Sequence, residues 1–284
     1  MSDPPPHWRR AAAACSLLLA CYGGGDRPRL RLHDRPPERG ALTIVLPSGQ
    51  VQHLDLADLR DHAEPLPGAV TYLVEAFPER TIGAATVLPL ARLVQLLELE
   101  GTVDLVLADC NDRYQANYTR AQLATNAPYL VVTIDDQLFP RWIAEIGAPH
   151  FGPLLISLSR EDGLLDPIHK SPWGVHRLTF TREADAWASL AAARAAHPRG
   201  FTIYADACHN CHAPGDGPVG GRLSSRGLNA LTGYARANPG YLREVLRDPQ
   251  GALRDPSTKM PGFAHYSDED RRALLAFLAA LHHS

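Results

Sequence analysis

The chain has 284 residues with 28 basic and 31 acidic side chains, for a net charge of −3. This balance leaves no electrostatic footprint for nucleic acid, so no nucleic-acid partner is expected. The length suffices for two domains. The five cysteines are split between an N-terminal apolar stretch, one isolated position and one motif, and they imply no disulfide framework.

Arg9 and Arg10 form a small basic region before an apolar run from Ala11 to Ala20. That run is too short to span a bilayer but suits the apolar part of a secretory leader. It contains Cys15 and ends Leu18-Leu19-Ala20-Cys21, which resembles a bacterial lipobox. In such signals the leader is cut before the cysteine, which then carries the lipid. Leu19 is a less usual residue at its position, so ordinary secretion is the alternative. Either reading of 1–21 places the protein outside the cytoplasm, and the lipobox reading makes it a periplasmic, membrane-tethered lipoprotein. Residues 22–40 are rich in Gly, Pro and Arg without periodicity and read as a flexible linker.

Residues 41–181 read as one α/β or α+β domain. Leu42–Leu46 and Val51–Leu56 are strands around a Ser48-Gly49 turn, and Ala69–Ala76 is a third strand candidate. Leu90, Leu93, Val94 and Leu97 have helical spacing after Pro89. Val103–Ala108 is a buried strand, and Thr119 caps a short helix through Leu123. Tyr129–Ile134, Pro153–Leu158 and Trp173–Phe180 are further strands. Three stretches carry a likeness within this order. They are Ala108-Asp109-Cys110-Asn111-Asp112-Arg113-Tyr114, Gly152-Pro153-Leu154-Leu155-Ile156, and Ser171-Pro172-Trp173-Gly174-Val175 with His176-Arg177-Leu178. Together they resemble the molybdopterin-binding domain of the sulfite oxidase type. That family holds molybdenum through a cysteine well before the Asp-Gly-Tyr turn. Here no cysteine lies between Tyr22 and Asp109, and Arg113 stands at the turn glycine. The resemblance therefore implies a degenerate relative with no molybdenum cofactor. Cys110 reads as a buried structural cysteine, with a metal or redox role as the alternative. His150, His169 and His176 match no local metal motif.

Residues 182–197 are Ala-rich and read as a linker helix carrying Trp187 and Leu190 on one stripe, broken by His197-Pro198. The all-α domain at 198–284 is built around Cys208-His209-Asn210-Cys211-His212. C-x-x-C-H is the spacing by which two thiolates attach one haem c, with the adjacent histidine ligating iron. A structural zinc site would need a further ligand pair, and none follows at ordinary spacing. A thioredoxin-like dithiol would need a βαβ context, which is absent. Met260, in the Pro/Gly-bounded loop Thr258-Lys259-Met260-Pro261-Gly262-Phe263, is the only methionine besides Met1 and the candidate second axial ligand. Pro239 starts a helix ending at Asp248-Pro249. Ser267 caps the last helix, whose apolar face is Leu274, Leu275, Phe277, Leu278 and Leu281. Gly200-Phe201, the C-x-x-C-H, Tyr241-Leu242-Arg243, Arg247-Asp248-Pro249-Gln250 and the Met260 loop together resemble a proteobacterial class I cytochrome c. The family's Gly-Pro-x-Leu, whose Pro carbonyl receives the proximal histidine N–H, is here Gly220-Gly221-Arg222-Leu223. Either Gly221 or Pro218 offers that carbonyl.

These features point to an exported mono-haem cytochrome passing single electrons between periplasmic redox proteins. Cys208 and Cys211 would hold the haem, and His212 and Met260 would ligate its iron. The alternatives are a haem-based ligand or redox sensor, and an oxidoreductase with a cofactor in the N-terminal domain.

Overall fold

The computed structural model describes residues 30–38, 40–66, 84–125, 127–157, 172–214, 219–224, 227–258 and 260–281. The leader with Cys15 and Cys21, the strand candidate at 69–76, His169 and Pro218 lie outside the described residues. No helix among the described residues is long and apolar enough to cross a membrane.

The first strand, β1 (Leu32–His33), pairs antiparallel with β3 (Val51–Asp55). The sheet thus begins inside the stretch that composition reads as a linker. Two residues are too few to show a period, and Leu30 and Leu32 gain burial against the sheet core instead. β2 (Ala41–Val45) and β3 form a hairpin. Its turn closes through the Gly49 N–H donating to the Leu46 carbonyl, with Gly49 at φ 82°. That left-handed backbone is the one glycine adopts without steric cost. Helix α1 (Leu56–Arg60) follows, capped by Asp55, which accepts the Ala57 N–H. The remaining strands are β4 (Glu64–Pro65), β5 (Ala85–Pro89), β6 (Leu105–Cys110), β7 (Gln115–Thr119), β8 (Tyr129–Ile134), β9 (Gln137–Leu138), β10 (Leu154–Ser157) and β11 (Trp173–Thr181). Helices α2 (Leu90–Leu96), α3 (Arg120–Thr125) and α4 (Phe139–Glu145) connect them.

The result is a curled mixed sheet in the order β1-β3-β2-β11-β10-β8-β5-β4. β11 pairs in parallel with β2 and antiparallel with β10 and β6, and β6 carries β7. β6 is buried on both faces. Val106, Ala108 and Cys110 join the core of the sheet, while Leu105 and Leu107 point into the helical core. A continuous apolar run is the sequence mark of a strand buried on both sides. β7 alternates in the same sense, Ala116 and Tyr118 facing the sheet core, with Gln115 and Asn117 buried between them in sequence.

The segment read as a linker helix is broken into α5 (Glu183–Ala186), a 3₁₀ turn and α6 (Ala191–Ala196). It is part of the second core, with Trp187 and Leu190 buried among the helices. Trp187 meets Phe201 and His209 edge-on at 5.4 and 4.6 Å between centroids. Helix α7 (Pro198–Ile203) runs into a π-helical turn, Tyr204–Cys208. Helices α8 (Leu228–Ala237), α9 (Pro239–Arg247), α10 (Pro249–Leu253) and α11 (Asp268–Ala280) complete the domain. α11 begins with a reciprocal capping box between Ser267 and Asp270. It crosses α7 at Gly200, where a Cβ would overlap the Ala273 carbonyl oxygen. Only glycine permits that approach, and Phe201 and Tyr204 then pack on Phe277 at 5.8 and 5.4 Å.

Candidate functional site

The π-helical turn delivers Cys208, and the chain tightens just after it. The Cys211 and His212 N–H groups both donate to the Cys208 carbonyl, at 3.2 and 2.9 Å. The Tyr204 hydroxyl donates to the His212 carbonyl at 3.0 Å, pinning the turn to the α7 side of the core. The loop after α10 returns Met260 to the same place. Cys208, Cys211, His212 and Met260 all line one cavity of about 820 Å³. Its other walls are mainly apolar, among them Leu231, Tyr234, Leu242, Val245, Leu246 and Phe263, with Asn210, Ser224, Asp255, Ser257 and Thr258 adding polar groups.

A large flat apolar macrocycle fits these walls. The cavity lies within the size range of cofactor sites. Among the described residues the exposed large apolar side chains are Val51, Leu223 and Tyr234, and the last two line this cavity. A haem between them would remove that apolar surface from water. The donor set also suits iron: two thiols for attachment, and an imidazole and a thioether as neutral ligands.

The electrostatics disfavour a thiol–disulfide role. Burial, followed by the nearby Cys211, pushes the Cys208 thiol up to about 12. Burial and Asp112 push Cys211 up to about 11. Reactive dithiols work the other way, with a depressed thiolate pKa. Among the described residues no group of three or more His, Cys, Asp or Glu side chains is placed to hold a metal ion.

Gly221 accepts the Ala213 N–H at 2.8 Å through its carbonyl and donates its own N–H to the His209 carbonyl at 2.9 Å. It therefore ties the second loop to the haem motif on both sides. Cys110 is buried, its thiol pushed upward by desolvation and then by Asp112 and Asp109. His150 lies tilted against Phe151, at 4.1 Å between ring centroids, and His176 lies on β11, so the two do not join the cavity.

Sequence reasoning missed the residues that β7 sends into the helical domain. The Gln115 N–H donates to the Asn210 carbonyl at 3.1 Å, and its side-chain oxygen accepts the Gly220 N–H at 2.6 Å. Asn117 Nδ2 donates to the Ala205 carbonyl at 2.6 Å and lies 3.2 Å from His209 Nδ1. Gln122 reaches Asp206 at 2.9 Å. Tyr114, at the tip of the β6–β7 hairpin, lines the cavity itself. The two variable positions of the C-x-x-C-H, His209 and Asn210, are thus gripped by the N-terminal domain. The available signal was the alternation Gln-Ala-Asn-Tyr-Thr at 115–119, whose polar members look solvent-facing when read alone.

Residues 195–278 match the family described as cytochrome C oxidase, cbb3-type, subunit III. No curated protein matches the chain. The match gives the chain a C-terminal cytochrome c domain, a kind of domain that carries haem for electron transfer.

Proposed function

We propose that this chain, with its C-terminal cytochrome c domain, is an exported mono-haem c-type cytochrome that passes single electrons between periplasmic redox proteins. One observation carries the reading: Cys208, Cys211, His212 and Met260 converge on a single apolar cavity. Cys208 and Cys211 would hold the haem through thioether bonds, and His212 and Met260 would ligate its iron. The bound haem would supply a one-electron couple. The protein's own groups do the rest. Tyr204 holds the His212 backbone, and the apolar walls exclude water, which favours the less charged, reduced state. The match to an oxidase subunit covers only the haem domain, so what it supports here is electron carriage. The leader and lipobox reading of 1–21 supports export and tethering through Cys21. The degenerate sulfite-oxidase-like reading of the sheet domain, without molybdenum, belongs to the same proposal.

Spectroscopy of protein made in cells that mature c-type haem tests it, together with a metal assay. A sharp reduced α band, the oxidised methionine–iron charge-transfer band and iron without molybdenum are expected. Met260→Ala should lose the charge-transfer band and bind carbon monoxide in the ferrous state. Absence of covalent haem overturns the proposal, and molybdenum bound alongside haem would make the protein an oxidoreductase.

A further inference from the structure

The side of the proposed haem site that carries Cys211 is only partly buried. It faces the β6–β7 hairpin of the N-terminal domain. Tyr114 packs against the core of the sheet and lines the same cavity as Cys208, Cys211 and His212. Its hydroxyl is hydrogen-bonded to the Asn210 side chain, inside the C-x-x-C-H itself. The backbones on either side hold it there. The Arg113 carbonyl accepts the Arg222 N–H at 2.7 Å, and the Gln115 N–H donates to the Asn210 carbonyl at 3.1 Å. Gly221 shows how close this junction is, because a Cβ there would overlap the Asn210 carbonyl and lie 2.9 Å from the Gln115 nitrogen. Tyr114 is therefore clamped between two contacts to the helical domain and has little freedom to swing away.

We propose that Tyr114, supplied by the N-terminal domain, is a positioning residue of the haem site whose ring closes the cavity at Cys211 and keeps water from the haem edge. The proposal rests on the haem reading above. Its physical content is a sign. Ferric haem carries one more positive charge than ferrous haem, and water stabilises the more charged state. A wall that excludes water therefore favours reduction, and opening it favours oxidation. The ring performs this role, and the backbone contacts at Arg113 and Gln115 hold it without the hydroxyl, so phenylalanine should serve nearly as well as tyrosine. The sheet domain is then part of the redox centre rather than a separate docking module.

The test uses the full chain, haem-loaded, in four forms: wild type, Tyr114→Phe, Tyr114→Leu and Tyr114→Ala. Covalent haem is counted by its alkaline pyridine spectrum, and midpoint potentials are read by optical redox titration. Tyr114→Phe should keep the wild-type potential. Tyr114→Leu and Tyr114→Ala should lower it stepwise, a severalfold fall in the equilibrium constant for reduction, and should speed reduction by a small hydrophilic reductant. Tyr114→Leu removes the ring from the cavity while keeping an apolar side chain against the sheet core, so the test stays decisive if the alanine variant does not mature. Wild-type potential in fully loaded Tyr114→Leu overturns the inference while leaving the cytochrome reading intact. A wild-type chain without covalent haem overturns both.

Discussion

A side chain at Gly221 would run into the Asn210 carbonyl and crowd the Gln115 nitrogen. The clash has a definite location: the loop after the haem motif, the motif and the N-terminal hairpin meet there backbone to backbone. Ala213, His209 and Gln115 already use the hydrogen-bonding groups around it. Gly221→Ala should therefore push the three backbones apart, at a cost of about 1–3 kcal/mol of the kind seen when a packed core is overfilled. The thermal midpoint of the haem-loaded chain should fall, and the yield of covalent haem should fall with it. Gly49, which occupies open space in the β2–β3 turn, is the control, since a substitution there strains only its own backbone. Sequence reading reached Gly221 through the family's carbonyl that accepts the proximal histidine N–H. The requirement for glycine at this position comes instead from a contact between domains, which no local pattern encodes.

At the scale of elements, legibility followed the period of the apolar residues. β8, with six buried residues from Tyr129 to Ile134, and β6, with its apolar run from Leu105 to Ala108, were readable because burial on both faces leaves a simple mark. α11 was readable because its cap, its acidic first turn and its apolar face agree. The Gly200 crossing was also legible, since close helix contact demands glycine, and Cys208, Cys211, His212 and Met260, grouped by motif and loop in the sequence, line one cavity in the fold. β7 was not. Its inward-facing partners are Gln115 and Asn117, and a polar residue buried by another domain looks like one facing water. The energetic consequence is testable. Asn117→Ala leaves the buried Ala205 carbonyl without the hydrogen bond it accepts at 2.6 Å. An unsatisfied buried acceptor costs about 1–3 kcal/mol. Denaturant titration should show a lower midpoint with an unchanged slope. A midpoint equal to that of the wild type would mean that the Asn117 hydrogen bond contributes nothing to the junction.

Over the whole molecule, the apolar cores do not respect the sequence boundary between sheet and helices. Leu105 and Leu107 of β6 belong to the helical core, and Trp187 and Leu190 of the connecting segment are buried there too. Separating the domains would expose these side chains and break the Gln115, Asn117 and Gln122 hydrogen bonds together. The chain should accordingly unfold in one transition followed equally by haem absorbance and by far-ultraviolet dichroism. Linkage extends the argument to the haem. A group bound only by the native state stabilises every element whose opening would disturb its site, and the coupling is reciprocal. Cys208 and Cys211 flank His209 and Asn210, and β7 holds both of those residues. Replacing both cysteines with alanine would remove the proposed covalent haem and leave every residue of the sheet in place. Amide hydrogen exchange at 115–119 should then quicken, while the β2–β3 hairpin at 41–55, on the far side of β11 in the strand order, should keep its protection. If exchange at β7 were the same with and without haem, and the haem and sheet signals melted apart, the two domains would be independent bodies on one chain. Quickened exchange at β7 alone would instead show that the sheet domain senses whether the haem is present, through the two residues that separate its attachment cysteines.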